Sequence, residues 1–124
     1  MFDPTNAFSG FSVNDIDAAR KFYGETLGLT VTDNEMGFLE LQLGSGAKVL
    51  VYPKPDHEPA TFTIMNFAVP DVDAAVDDLR QRGVDTNPYA ASMPTDEKGI
   101  MRNMGPTIAW FLDPAGNVLS VLQG

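Results

Sequence analysis

The amino-acid sequence predicts an α+β fold made of two tandem βαβββ modules, and three observations carry that prediction. A heptapeptide recurs: Val13-Asn14-Asp15-Ile16-Asp17-Ala18-Ala19 returns 56 positions later as Val69-Pro70-Asp71-Val72-Asp73-Ala74-Ala75, with five of the seven residues identical. Each copy opens a run of apolar residues at helical spacing. Stretches that alternate with period two, separated by turn-forming residues, follow each run. Two copies across the chain mean a duplicated module rather than a solenoid.

In the first copy a strand ends at Val13, and Asp15 stands where an N-cap belongs. Ile16, Ala19, Phe22, Tyr23 and Leu27 form the helical stripe, and Gly28 stops it. Phe38–Leu43 then alternates, with Leu39, Leu41 and Leu43 on one face and Phe38, Glu40 and Gln42 on the other. Gly44-Ser45-Gly46 makes a turn, and residues 48–52 return. Pro53 to Pro59 reads as the link between the copies. In the second copy Asp71 is the cap, Val72, Ala75, Val76 and Leu79 are the stripe, and Gly83 ends it. Acidic Asp71 and Asp73 open this helix while Arg80 and Arg82 close it, as its dipole favours. Residues 107–112 and 118–122 flank Asp113-Pro114-Ala115-Gly116-Asn117, a hairpin with strong turn chemistry. Each helix has one apolar face, so both lie on one side of a mixed sheet. The whole is expected to be one domain, residues 1–124, with module one over about 7–53 and module two over about 61–123.

Eight Lys plus Arg oppose 17 Asp plus Glu, a formal net charge of −9. Such a surface repels phosphate backbones, so nucleic acid is not an expected partner. The chain has no Cys, which argues against a disulfide-stapled fold and against thiolate chemistry. No stretch approaches the roughly 20 apolar residues needed to cross a bilayer, and the first residues lack signal-peptide character. A soluble, cytoplasmic protein without a membrane partner is expected.

Phe11-Ser12-Val13-Asn14-Asp15, then Phe22-Tyr23 with Leu27-Gly28-Leu29, and the closing Phe111-Leu112-Asp113-Pro114-Ala115-Gly116-Asn117 together resemble the vicinal oxygen chelate superfamily. That superfamily includes glyoxalase I, bleomycin-resistance proteins and extradiol dioxygenases. The resemblance runs from about Ala7 to Leu122. It implies that each module curls into a half-cup and that two modules form a U-shaped cavity with the helices outside. It also implies association as a homodimer, through exchanged modules or packed helices, although a two-module chain can close its cup alone. The enzymes of the superfamily hold a divalent metal on four side chains of facing strands. For these positions, counting back seven residues from Asp15 and Asp71 gives Phe8 and Ile64, the strand after Asp113–Asn117 gives Ser120, and its counterpart in the first module is Leu50. None offers the imidazole or carboxylate that such metals require, so no metal or other cofactor is expected. The single histidine, His57, lies between Asp56 and Glu58 in the proline-rich link. Consecutive residues of an extended segment point in opposite directions, so an exposed linker histidine is expected rather than a chelate.

Strand alternation places Phe8, Ser12, Glu40, Leu50, Tyr52, Ile64, Asn66, Trp110 and Ser120 toward the cup as candidate ligand-binding residues. Aromatic and aliphatic walls with a few polar groups suit a small-molecule pocket, here for an aromatic or cationic ligand. Residues 92–105 lack periodicity and carry Met93, Met101, Met104 and Arg102, the makings of a lid or binding loop. No catalytic residue is assigned. The leading expectation is a metal-independent small-molecule-binding protein of the glyoxalase and bleomycin-resistance type. The alternatives are a lyase, isomerase or dioxygenase-like enzyme relying on inward Glu40 or an atypically bound metal, and a regulatory module whose cup is filled.

Overall fold

A computed structural model describes residues 2–124, which fall into two compact units divided between Glu58 and Pro59. Each unit is a βαβββ module with the same strand order. In the first, β1 (Ser9–Val13), β2 (Thr30–Asp33), β3 (Leu39–Gln42) and β4 (Lys48–Pro53) are arranged β1-β4-β3-β2. In the second, β5 (Thr63–Val69), β6 (Ile100–Met101), β7 (Ile108–Leu112) and β8 (Val118–Gln123) are arranged β5-β8-β7-β6. The first and last strands of each module pair in parallel, and the remaining pairs are antiparallel.

Helices α1 (Ile16–Lys21) and α2 (Val72–Gln81) bridge the parallel strands. Both begin as the repeat predicts. The Asp15 carboxylate accepts from the backbone N–H of Asp17 and Ala18, and that of Asp71 accepts from Ala74. Each satisfies helix donors that would otherwise lack a partner. The first helix differs from its sequence pattern beyond Lys21. It widens into a π-type turn over Phe22–Thr26, in which Leu27 N–H donates to Phe22 C=O at 2.8 Å. The extra residue in that turn still leaves Tyr23 on the sheet, fully buried and edge-on to Phe22. Gly28 then turns the chain at φ 76°, a conformation that costs glycine little.

The alternation of each strand separates a buried, helix-covered face from an open one. Val13, Leu39, Leu41, Val49 and Val51 are buried in the first unit, where α1 packs against β4 and Phe11 meets Tyr23. Met65, Ala109, Phe111, Leu119 and Val121 are buried in the second, where α2 packs against β7 and β8. Full burial of each such aliphatic or aromatic side chain stabilises by roughly 1.5–3 kcal/mol.

The segment 92–105, which the sequence offers as a lid or binding loop, is ordered. It contains β6, whose Ile100 is buried, and it is tied down on both sides. The Asp96 carboxylate accepts from the N–H of Lys98 and Ile100, each at 2.9 Å, while Thr86 donates its hydroxyl to Lys98 C=O at 2.7 Å. Lys98 also pairs with Asp77 of α2 at 2.7 Å, and Arg102 with Asp73 of α2 at 2.7 Å. At Gly99 the chain passes so close to Thr86 that a Cβ would lie 1.8 Å from Thr86 O, with φ at +90°. Gly99→Ala is therefore expected to cost about 3 kcal/mol or more in urea denaturation, through strain and overlap together. Gly37→Ala, also at positive φ but with open space around it, should lose only the roughly 1–2 kcal/mol of left-handed strain.

Candidate functional site

The open face of the second sheet carries the most developed site. Trp110 on β7 stands opposite Ser120 on β8, and Ser120 stands opposite Asn66 on β5, so the three form one row across the sheet. The Trp110 side chain does not stay over its own strand. Its Nε1–H donates to Thr63 Oγ1 on β5 at 3.1 Å, which carries the indole across the intervening strand β8. Ser120, on this same face, is 0% exposed. Its hydroxyl donates to Asn66 Oδ1 at 2.5 Å, which satisfies the buried oxygen.

Thr63 reaches this position because β5 is irregular. Thr63 pairs with Val118 and Met65 with Leu119, so β5 supplies one residue more than β8 at this point, a β-bulge at Ile64. Strict alternation assigns Ile64 to the open face and misses Thr63. The bulge breaks that phase, and Thr63 becomes the indole's acceptor.

Around the indole lies a concavity of about 320 Å³, lined by Thr61, Phe62, Thr63, Tyr89, Met93 and Trp110 with Val118 beneath. Tyr89 meets Trp110 edge-on, with ring centroids 6.2 Å apart at 78°. Phe62 is 69% exposed. A fixed indole, an edge-on phenol and a pliant methionine form a surface on which a planar aromatic molecule can stack. Sequence reasoning missed Tyr89 because residues 84–99 carry no periodicity that assigns a face. A second concavity of about 370 Å³, by Arg80, Asp85, Thr86, Asn87 and Glu97, has polar walls of mixed charge and no aromatic surface.

The open face of the first sheet holds most of the other candidates. Leu50 sits between Gly10 and Glu40 on neighbouring strands, and Tyr52 lies opposite Ser12. Phe38 and Tyr52 face each other with ring centroids 6.1 Å apart. Glu40 is half-buried between Leu50 and Thr32. Phe8 precedes β1 and is 69% exposed. His57 differs from the exposed linker residue expected. It is half-buried, and its Nδ1 lies 2.6 Å from the Ser12 hydroxyl, because the turn at Lys54 folds the link back onto β1. Asp56 turns away to Lys54 at 2.8 Å, so the Asp56-His57-Glu58 run does not converge.

A family model for the Glyoxalase/Bleomycin resistance protein/Dioxygenase superfamily matches residues 6–121. The chain belongs to this superfamily. Solved structures share its fold. A glyoxalase family protein from Enterococcus faecalis is 20% identical, covers 99% of this chain and 100% of its own, and has a TM-score of 0.68. A superfamily member from Sphaerobacter thermophilus is 23% identical with a TM-score of 0.68, covering 95% of this chain and 97% of its own. TnmS3, an antibiotic binding protein from a Streptomyces strain, is 25% identical with a TM-score of 0.64, over 98% of both chains. No curated protein sequence matches significantly.

Superfamily enzymes place a divalent metal on these strands, and the residues present here do not fit one. Leu50 and Ser120 occupy equivalent ladder positions, opposite Gly10 and Asn66 respectively. Together with Phe8 and Ile64 they supply a single hydroxyl and three hydrocarbon side chains, no set of donors for such an ion. Among the described residues, no three His, Cys, Asp or Glu side chains are placed to hold a metal.

The loop bordering the concavity is held by carboxylates whose protonation follows a definite sign. Hydrogen bonding to Arg102 keeps Asp73 below its ordinary value. Burial opposes the ionisation of Asp96, but the N–H groups of Ile100 and Lys98 and the Arg102 guanidinium outweigh it and lower that group too. A depressed carboxylate contributes its full stabilisation above the unfolded value, near 4, and loses it as pH falls through the folded one. Backbone amides of Lys98 and Ile100 should therefore keep their exchange protection down to about pH 4 and lose it below. Amide exchange followed by NMR across this range checks the sign.

Proposed function

We propose that this superfamily member is a metal-independent small-molecule-binding protein that holds a planar aromatic ligand against Trp110. The observation carrying the proposal is the indole itself, locked to Thr63 at 3.1 Å and walled by Tyr89 at 6.2 Å within a concavity of about 320 Å³. A side chain fixed before the ligand arrives loses little further freedom on binding. The metal positions, three hydrocarbon side chains and one hydroxyl, support binding without a metal. The antibiotic-binding activity named for TnmS3 supports the reading by analogy. A homodimer resident in the cytoplasm completes the proposal, and light scattering should return twice the chain mass.

Trp110 is the only tryptophan in the chain, so its emission reports directly on the site. Titration with a panel of bicyclic and tricyclic aromatics is expected to quench it and to raise the melting temperature, while the added compound is recovered unchanged. Stabilisation should approach about 2.7 kcal/mol at a hundredfold excess over the dissociation constant. Prior treatment with a chelator should change neither result. Trp110→Ala should weaken binding, read by calorimetry, by about tenfold, or 1.4 kcal/mol. A panel that neither quenches nor stabilises sinks the proposal.

One observation favours a second reading. The Glu40 carboxylate is half-buried and has no hydrogen-bond or ion-pair partner among the described residues, which leaves it available as a base. Turnover of a panel compound, abolished by Glu40→Gln, would establish an enzyme instead.

A further inference from the structure

The hydrogen bond between Ser120 and Asn66 fixes the direction of an exposed amide. Ser120 is fully buried, and among the described residues its hydroxyl makes one hydrogen bond, to Asn66 Oδ1 at 2.5 Å. That separation suits an O–H···O contact and is too short for an amide N–H reaching a hydroxyl. The amide oxygen is thus turned to the sheet. Because the amide group is planar, its Nδ2 is turned away from Ser120. Asn66 is exposed, and Nδ2 has no partner among the described residues. It presents two N–H donors to whatever lies above the sheet.

This donor stands at a defined distance from the indole. Asn66 and Trp110 flank Ser120 on the two neighbouring strands, so their backbones are two strand spacings, or about 10 Å, apart. The indole then leans from β7 toward Asn66's own strand through its bond to Thr63. Asn66 lies outside the lining of the concavity, three residues along β5 from Thr63, so a ring stacked on the indole meets Asn66 through a substituent that projects out of the concavity along that strand.

We infer that Asn66 is the polar anchor of this site and donates through Nδ2 to a neutral carbonyl oxygen on the edge of the aromatic ligand. Ser120 is the positioning residue that keeps the amide in this orientation. The inference rests on the proposed aromatic-binding function and names the ligand class more closely, an aromatic ketone or amide. A carboxylate could accept the same bond, but a chain of net charge −9 disfavours an anionic ligand.

The test uses a near-isosteric pair, 2-acetylnaphthalene and 2-isopropenylnaphthalene, which differ by an oxygen for a methylene. Affinities are read from quenching of Trp110. The ketone is expected to bind about tenfold more tightly than the alkene. Asn66→Asp replaces the donor with an acceptor at an exposed position, and should bring the ketone-to-alkene ratio to about one or below. Ser120→Ala should lower the ratio as well, by releasing the amide to rotate. A merely structural role for Ser120 would weaken both probes together and overturns its assignment. Equal binding of both probes by the native chain overturns the donor role of Asn66 while aromatic binding stands. A ratio that survives Asn66→Asp places the donor elsewhere and also overturns it. Failure of both probes to quench overturns the aromatic-binding function and this inference with it.

Discussion

Each module depends on one pairing, the parallel ladder between its first strand and its last. Parallel neighbours cannot be joined by a tight turn, so a helix and two intervening strands must be accommodated between β1 and β4, and again between β5 and β8. The helix follows directly from the first strand and covers one face, where the core residues collect. The other face is left to carry whatever side chains the strands present. The capping aspartates Asp15 and Asp71 sit at the point where the chain leaves that first strand, which explains why the repeat is most visible there.

This division of labour accounts for what could be read in advance. The repeat, the two helix starts, the hairpin around Asp113–Asn117 and the burial of Leu39 and Leu41 follow from local chemistry and period-two spacing, and the structure contains them. The pairing of Trp110 with Ser120 follows from the hairpin turn alone. Three features stayed out of reach because they depend on contacts distant in sequence or on an extra residue. His57 meets Ser12, 45 positions away. The loop around Asp96 is ordered by Asp73 and Asp77 on a helix some twenty residues earlier, so its lack of periodicity does not mean a lack of structure. Thr63 owes its role to a bulge, and no alternation pattern announces where one residue is added.

The positions at which the superfamily's enzymes hold a metal are occupied here by residues that do not fit one, and two of them share a ladder position. Leu50 and Ser120 still face the first strand of their modules at matching places. At one of these places the serine supports an amide rather than an ion. A buried hydroxyl needs a partner, and Asn66 supplies it, so Ser120 does not leave an unsatisfied polar atom in the sheet.

The duplication offers two backbones of the same topology, and a designer is tempted to copy the aromatic clamp from one to the other. By ladder position the exchange reads simply: asparagine for Gly10, serine for Leu50, tryptophan for Glu40. It lacks the fourth member. The β1–β4 ladder runs in unbroken register from Ser9 to Val13, without the added residue that lets Thr63 capture the indole nitrogen. A grafted tryptophan would keep its ring but lose its tether and swing between rotamers. What distinguishes the second sheet is therefore partly an insertion in the main chain, and side-chain replacement alone does not transfer it.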